Sequence, residues 1–253
     1  MNCVILQPSY IPWRGYFDQV NRADTFVFYD DVQFDKGGWR HRNKVLLSNG
    51  PGWLSIPVRH KGHLKNQLLI KDVEIVWDQN WIEKHWRSLQ QSYRKAPFFV
   101  PVIEFLRPYY ESAPSTLCEL VIPLTVGIAR YLGCKTQFFR SSELGVFGEQ
   151  TERLVNICKH FGASHYISGP SAQNYLDESA FIRGGISLEY MSYDFPNYTQ
   201  LIETSEPLSI LDLLFMKGPH SGQFIWGPTS ESNDWASPTS KLLLKKSDEP
   251  RNS

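Results

Sequence analysis

No run of this sequence is apolar for long enough to cross a bilayer, and no two of its cysteines are spaced to bind a metal together. A membrane-spanning helix needs about 20 apolar residues in succession, so no membrane insertion is expected. Cys3, Cys118, Cys134 and Cys158 form neither a CxxC pair nor a His/Cys cluster at zinc spacing. No metal site is therefore expected, and free thiols in a reducing cytoplasm are the simplest reading. Net charge is missing too, because 26 Lys and Arg balance 26 Asp and Glu. Without a basic field to neutralise phosphates along a strand, nucleic acid is not expected as a partner. Met1 is followed at once by a strand-like run and then polar residues, so no signal peptide is expected. A Walker A loop, a GxGxxG fingerprint and a GxSxG elbow are all absent, and the sequence names no cofactor.

What the sequence does have is length and aromatic bulk. Its 253 residues suffice for a substantial core without staples. Aromatics make up 14%, with eight Trp, a residue that lines pockets and interfaces as well as cores. Cys3–Leu6 reads as a buried strand stopped by Pro8, and Gly15 to Ala23 as a helix with Pro12 suited to its first turn. Thr25–Tyr29 is a second strand. Strand, helix, strand in this order is the βαβ pattern of a parallel sheet. Lys44–Leu47 and Trp53–Val58 read as a hairpin around Ser48-Asn49-Gly50-Pro51-Gly52. Leu68–Ile70 and Val73–Val76 are candidates to extend it. Helices are expected over Asn80–Arg94, Phe98–Tyr110 and Ser115–Leu132, the last capped by Ser115. Alternation then resumes with strands at Thr136–Phe139, His165–Ser168 and Ile186–Met191. The intervening helices fall at Glu149–Phe161 and Ser179–Arg183, and Ser209–Phe215 is a further helix. The fold class is α/β, a Rossmann-like, mostly parallel sheet with an inserted β-hairpin and helical region. One domain is counted over 1–227, followed by a disordered tail at 228–253 rich in Ser, Pro and Lys.

The segment Gln7-Pro8-Ser9-Tyr10-Ile11-Pro12-Trp13-Arg14-Gly15-Tyr16 links the first strand to the first helix. Ligands of open α/β sheets bind outside the carboxyl ends of strands, beside helix N-termini. Gln7, Tyr10, Trp13 and Tyr16 are therefore candidates to orient or stack on a substrate, although a loop that simply packs would look similar. Asp30 and Asp31 end the second strand and are candidate general bases. They read equally as a solvated strand end. Lys36, Arg40, Arg42, Asn43 and Lys44 form the densest basic run and suit phosphates or carboxylates. The same run would serve as a solvated hairpin edge. Ser168-Gly169 lies at another strand's carboxyl end, where backbone N–H groups can meet an anion. His85 shares a helix face with Trp81 and Leu89 and reads as a core or rim residue. His60, Lys61 and His63 fall in a polar loop expected to face solvent.

Several of these stretches resemble the WbqC-like family. The similarity is carried by Ile5-Leu6-Gln7-Pro8-Ser9-Tyr10-Ile11-Pro12-Trp13-Arg14-Gly15-Tyr16-Phe17 and by Asp24-Thr25-Phe26-Val27-Phe28-Tyr29-Asp30-Asp31-Val32-Gln33-Phe34. Trp39, Arg42-Asn43, Trp53-Leu54-Ser55-Ile56-Pro57-Val58, His165-Tyr166-Ile167-Ser168-Gly169 and Ser209-Ile210-Leu211-Asp212-Leu213-Leu214-Phe215 continue it. Met216 departs from it, since the family has Asn after that Phe. The resemblance implies a gene product of O-antigen, other surface-polysaccharide or natural-product clusters, acting as a glycyl or aminoacyl transferase on an amino sugar. It brings no catalytic residues with it. A more distant likeness is to the HxGH nucleotidylyltransferases, in whose motif position this chain has Pro12-Trp13-Arg14-Gly15-Tyr16, without either His.

The residues and the resemblance together give an acyl- or aminoacyltransferase. Its expected partners are a small-molecule substrate such as a sugar nucleotide and an acyl donor, free or carrier-bound. Asp30 or Asp31 would deprotonate the acceptor amine, while Gln7, Tyr10 and Tyr16 would orient the sugar or polarise the acyl carbonyl. Trp13 would stack on the sugar or base, and Lys36, Arg40, Arg42, Asn43 and Lys44 would hold phosphates. A non-catalytic scaffold of the same pathway and a nucleotidyltransferase-like enzyme are the alternatives. Everything depends on the turn, the aspartates and the basic run meeting at one cleft.

Overall fold

The apolar run Asn2–Leu6 forms β1, and its central residues are fully enclosed. In the computed structural model, which describes residues 1–60, 67–77 and 80–227, β1 leads through the turn 7–13 into α1 (Arg14–Arg22) and β2 (Thr25–Phe28). The hairpin is β3 (Arg42–Leu47) and β4 (Gly50–Ser55), with Gly50 at φ +106°, a conformation that favours glycine at its turn. Then come α2 (Trp81–Tyr93), α3 (Phe99–Glu111) and α4 (Leu117–Tyr131). β5 (Gln137–Arg140), α5 (Gln150–His160), β6 (His165–Ser168), α6 (Glu178–Gly184), β7 (Ser187–Tyr190) and α7 (Ile210–Lys217) complete the described chain.

The sheet order is β5-β2-β1-β6-β7, and every adjacent pair is parallel. Counting these strands one to five along the chain, the order is three-two-one-four-five, that of a doubly wound sheet. Alternating side chains send Val4, Phe26 and Phe28 to one face, where Phe17, Val20 and the helical region pack. Cys3, Ile5 and Val27 face the other way, against Leu154, Ile157 and Cys158 of α5 and Phe181 of α6. The sheet is thus covered on both faces, as parallel strands require. All four cysteines are buried, and no helix among the described residues is long and apolar enough to cross a membrane.

The expected elements form with small shifts of boundary and three differences. The helix-cap hydroxyl of α4 belongs to Thr116 rather than Ser115. Thr116 Oγ1 accepts from the Glu119 N–H while Glu119 accepts from the Thr116 N–H, a reciprocal capping box that Ser115 is one residue too early to make. Leu68–Ile70 and Val73–Val76 do not extend the hairpin, which has two strands. They make single bridges instead, Gln33 to Leu69 and Val58 to Ile75, around a short 3-10 turn at Ile70–Asp72. Pro12 stands one residue before the N-cap Trp13 rather than inside the first turn of α1. Lys61, His63 and the tail 228–253 lie outside the described residues.

One polar knot fixes the hairpin on the helices. Asp212 of α7 is fully buried and accepts from Tyr93 Oη at 2.9 Å, Tyr198 Oη at 2.6 Å and Gln200 Nε2 at 3.0 Å. Tyr93 Oη in turn accepts from the Leu46 N–H at 2.8 Å. A buried carboxylate persists only when its lone pairs are met this fully. The knot holds β3, and with it the start of the hairpin, at a fixed position beside the sheet.

Candidate functional site

β1 has β2 on one side and β6 on the other, so the chain reverses its winding direction across the β1–β6 pair. Outside the carboxyl ends of these two strands lies a cleft of about 750 Å³, where doubly wound sheets bind ligands. Its floor is Leu6, Gln7, Ser9 and Ser168, and Gly169-Pro170-Ser171 rim it from the β6 side. Trp13, Tyr16 and Gln19 enter from the turn and α1, and Tyr193 enters from the segment that follows β7. Trp39, Arg40 and Asn43 close it from the hairpin side.

The turn is held in an uncommon backbone shape. Ile11, β-branched and fully buried, sits at φ +39°, a costly conformation that persists only where surroundings impose it. Asn43 supplies that constraint, as its buried Nδ2 donates to the carbonyls of Tyr10 and Ile11, each at 3.0 Å. The Tyr10 N–H donates to the Trp39 carbonyl at 3.1 Å. A methyl group on Gly15 would collide with the Trp13 indole, which lies across it. Gly15 therefore keeps Trp13 over the start of α1, edge-on to Tyr193 at 4.9 Å.

Arg40 supplies the one formal charge among the described lining residues. Its Nη1 donates to the Pro8 carbonyl at 3.2 Å, its Nε is enclosed without a partner, and it forms no ion pair with any described carboxylate. Burial lowers its pKa, partly offset by Tyr16 and Asp35, yet a guanidinium stays charged. Gln19 is similarly placed: only 5% exposed, it donates from Nε2 to Tyr193 Oη at 2.8 Å while its Oε1 has no partner. The cleft thus offers, between aromatic walls, a cation with no ion-pair partner among the described carboxylates. That suits a ligand with an anionic group.

The sequence-predicted residues divide. Gln7, Trp13, Tyr16, Arg40, Asn43, Ser168 and Gly169 meet at this cleft. Asp30 and Asp31 do not. Asp30 is fully buried, receiving Arg140 Nε at 2.8 Å, the Ser142 N–H at 3.0 Å, Ser142 Oγ at 2.9 Å and Ser141 Oγ at 3.2 Å. Asp31 is ion-paired with Arg153 and receives Ser141 Oγ at 2.5 Å. Burial raises the pKa of Asp31, but the Arg153 and Ser141 hydrogen bonds and the Arg153 charge outweigh it, so the net shift is downward. Both carboxylates brace β2 against β5 and α5 and stand outside the lining of the cleft. Tyr10 is also withdrawn, fully buried with its Oη 2.5 Å from Tyr110 Oη and 3.2 Å from His85 Nδ1. Lys36 is exposed and outside the cleft. Arg42 donates to the Gly37 carbonyl at 2.6 Å and lies 4.4 Å from the Trp53 ring. Lys44 pairs with Glu206. The basic run therefore contributes one cation to the cleft, because Arg42 is held by the Gly37 carbonyl and the Trp53 ring and Lys44 by Glu206.

Sequence reading missed Ser9, Gln19, Tyr29 and Tyr193. Gln19 follows Tyr16 by three residues on α1, a spacing that puts both on one helix face. Tyr193 and Tyr29 follow the carboxyl ends of β7 and β2, and the strand-end rule applied to every strand would have found them. His85 is buried, as expected, and His60 is half-buried rather than solvent-facing. Among the described residues no group of three or more His, Cys, Asp or Glu is placed to hold a metal ion.

Fold and cleft together place the chain among doubly wound α/β proteins, with an aromatic, singly charged cleft at the switch point. Within that class this chain belongs to the WbqC-like protein family, whose model matches residues 7–224. A relative from Mycobacterium tuberculosis, named "Uncharacterized protein Rv1507c", is 38% identical over 224 residues, covering 87% of this chain and 96% of the relative. No solved structure matches the chain, so the expected likeness to nucleotidylyltransferases finds no counterpart there.

Proposed function

We propose that the cleft binds a phosphate-bearing amino sugar, such as a sugar nucleotide, and that the protein transfers an acyl or aminoacyl group, glycyl among them, onto the sugar amine. Modification of O-antigen and other surface polysaccharides, or of natural products, needs such a step. The observation that carries the reading is Arg40, a guanidinium without a carboxylate partner inside an aromatic cleft. Its fork matches a phosphate bidentately. Gln7, Ser9 and Ser168 would meet sugar hydroxyls, and Trp13 would lie against the ring's apolar face.

The described lining has hydroxyls but no carboxylate, imidazole or amine to activate one, and no thiol, which favours direct transfer without a covalent enzyme intermediate. The amine lone pair attacks the carbonyl carbon of an activated thioester, the C–N bond forms, and the C–S bond breaks. The departing sulfur takes up the proton the amine loses. The protein's part is to align the two reactants, which by itself accelerates such steps greatly.

The test is to supply amino-sugar nucleotides with acyl and aminoacyl thioesters and to follow amide product by mass spectrometry. Amide formation is expected, with Arg40→Gln raising KM roughly ten- to a hundredfold, the loss of one charge-assisted bond. The same lack of a base in the described lining favours a second reading, a non-catalytic binding protein of such a pathway. Binding of the sugar nucleotide by thermal shift, with no amide from any donor, would select that reading over transfer.

A further inference from the structure

The mouth of the cleft carries a feature that phosphate and sugar recognition leave unused. Trp39 is 43% exposed and Trp53 is 41% exposed, although large aromatics are normally covered. They lean on each other with ring centroids 5.2 Å apart and planes inclined by 39°. Trp53 is held from behind by Arg42, whose guanidinium lies 4.4 Å from the ring centroid while its Nη2 donates to the Gly37 carbonyl at 2.6 Å. Lys44 Nζ is 5.4 Å from the same ring. The stack Arg42–Trp53–Trp39 is therefore fixed, and it presents Trp39 at the entrance of the cleft.

Depth orders the site. Ser9, Tyr16 and Gln19 lie at the bottom, each under 7% exposed. Arg40 is half-buried, and Trp39, its chain neighbour, stands at the mouth. A ligand that satisfies all three levels has a polar ring, then a phosphate, then a flat aromatic group, in that order.

We propose that Trp39, backed by Trp53, is a base-stacking platform, so that the ligand is a nucleotide whose nucleobase lies at the mouth and whose sugar or acceptor end points inward. The inference deepens the cleft reading above and rests on it. A π-face stacks on every base with little preference among them. Trp39 is here a binding residue, and Trp53 and Arg42 position it.

Calorimetric titration of the full chain with ribose 5-phosphate and with UMP, AMP and GMP separates the two levels. Wild-type protein is expected to bind at least one nucleotide on the order of tenfold or more tighter than ribose 5-phosphate. Trp39→Ala should reduce that ratio to near one while leaving ribose 5-phosphate affinity within about twofold, and Trp39→Phe should restore most of it. Trp53→Ala should cause a smaller loss of the same ratio. Equal affinity for ribose 5-phosphate and all three nucleotides in wild type, or an unchanged ratio in Trp39→Ala, overturns the platform but leaves the phosphate site standing. Preference for 4′-phosphopantetheine over every nucleotide overturns it too. No binding of ribose 5-phosphate or of any nucleotide overturns the cleft reading itself, and the platform with it.

Discussion

Arg40 and Asp30 look alike in the sequence, as charged residues near strand ends, yet Arg40 lines the cleft and Asp30 is enclosed away from it. Asp30 is enclosed by Arg140, Ser141 and Ser142, which arrive over a hundred residues later in the chain. No local pattern announces that meeting, which is why the carboxylate reads from sequence as a free base. Asp30→Asn should destabilise the fold by about 1–3 kcal/mol, because it removes the charged acceptor that Arg140, Ser141 and Ser142 share. Urea denaturation measures this, and a loss of turnover at unchanged stability would contradict it. His85 makes a second prediction. Burial lowers its pKa from 6.5 to about 4, partly opposed by its bond to the Ser55 carbonyl. Between those values the unfolded chain takes up a proton that the folded one refuses. Stability is therefore full above pH 6.5 and falls as pH drops toward 4, by up to roughly 3 kcal/mol from this residue. His41, likewise lowered to about 4 by burial and by the charges of Arg42, His60 and Lys36, acts in the same direction. The urea midpoint at pH 7 and pH 4.5 should fall less in His85→Gln than in wild type. Equal falls would remove His85 from the account.

At the scale of elements, the decisive unit is the turn between β1 and α1. Its location was legible: a strand stopped by Pro, followed by aromatics and a helix, marks a carboxyl-end loop of a parallel sheet. Its shape was not, because the positive φ of Ile11 is imposed by Asn43 from the hairpin. Asn43 stood in the sequence within a basic run and read as a ligand contact, whereas its amide chiefly secures two carbonyls of the turn. Asn43→Ala should cost about 2–4 kcal/mol, two buried acceptors losing their donor, and should weaken ligand binding along with stability. Gly15→Ala should displace the Trp13 indole. Its signature would be a changed tryptophan emission spectrum at nearly unchanged helix content, and an unaltered spectrum would contradict the role given to Gly15.

For the whole molecule, the alternation of apolar strands with amphipathic helices made the parallel sheet readable, since fully buried strands such as β2 have no polar face to blur them. The strand order was not readable. It depends on β5 pairing with β2 and β6 with β1 across a helical region of some length, and contacts of that range leave no periodicity behind. That order is what places the switch point, and with it the cleft, at the ends of β1 and β6. Arg40 is proposed to meet the phosphate of a ligand at this point. The most direct measurement is a double comparison by calorimetry: glucosamine 1-phosphate against glucosamine, in wild type and in Arg40→Gln. Phosphate is expected to add about ten- to a hundredfold in affinity to the wild-type protein and almost nothing to the variant. An equal phosphate increment in both proteins would contradict it.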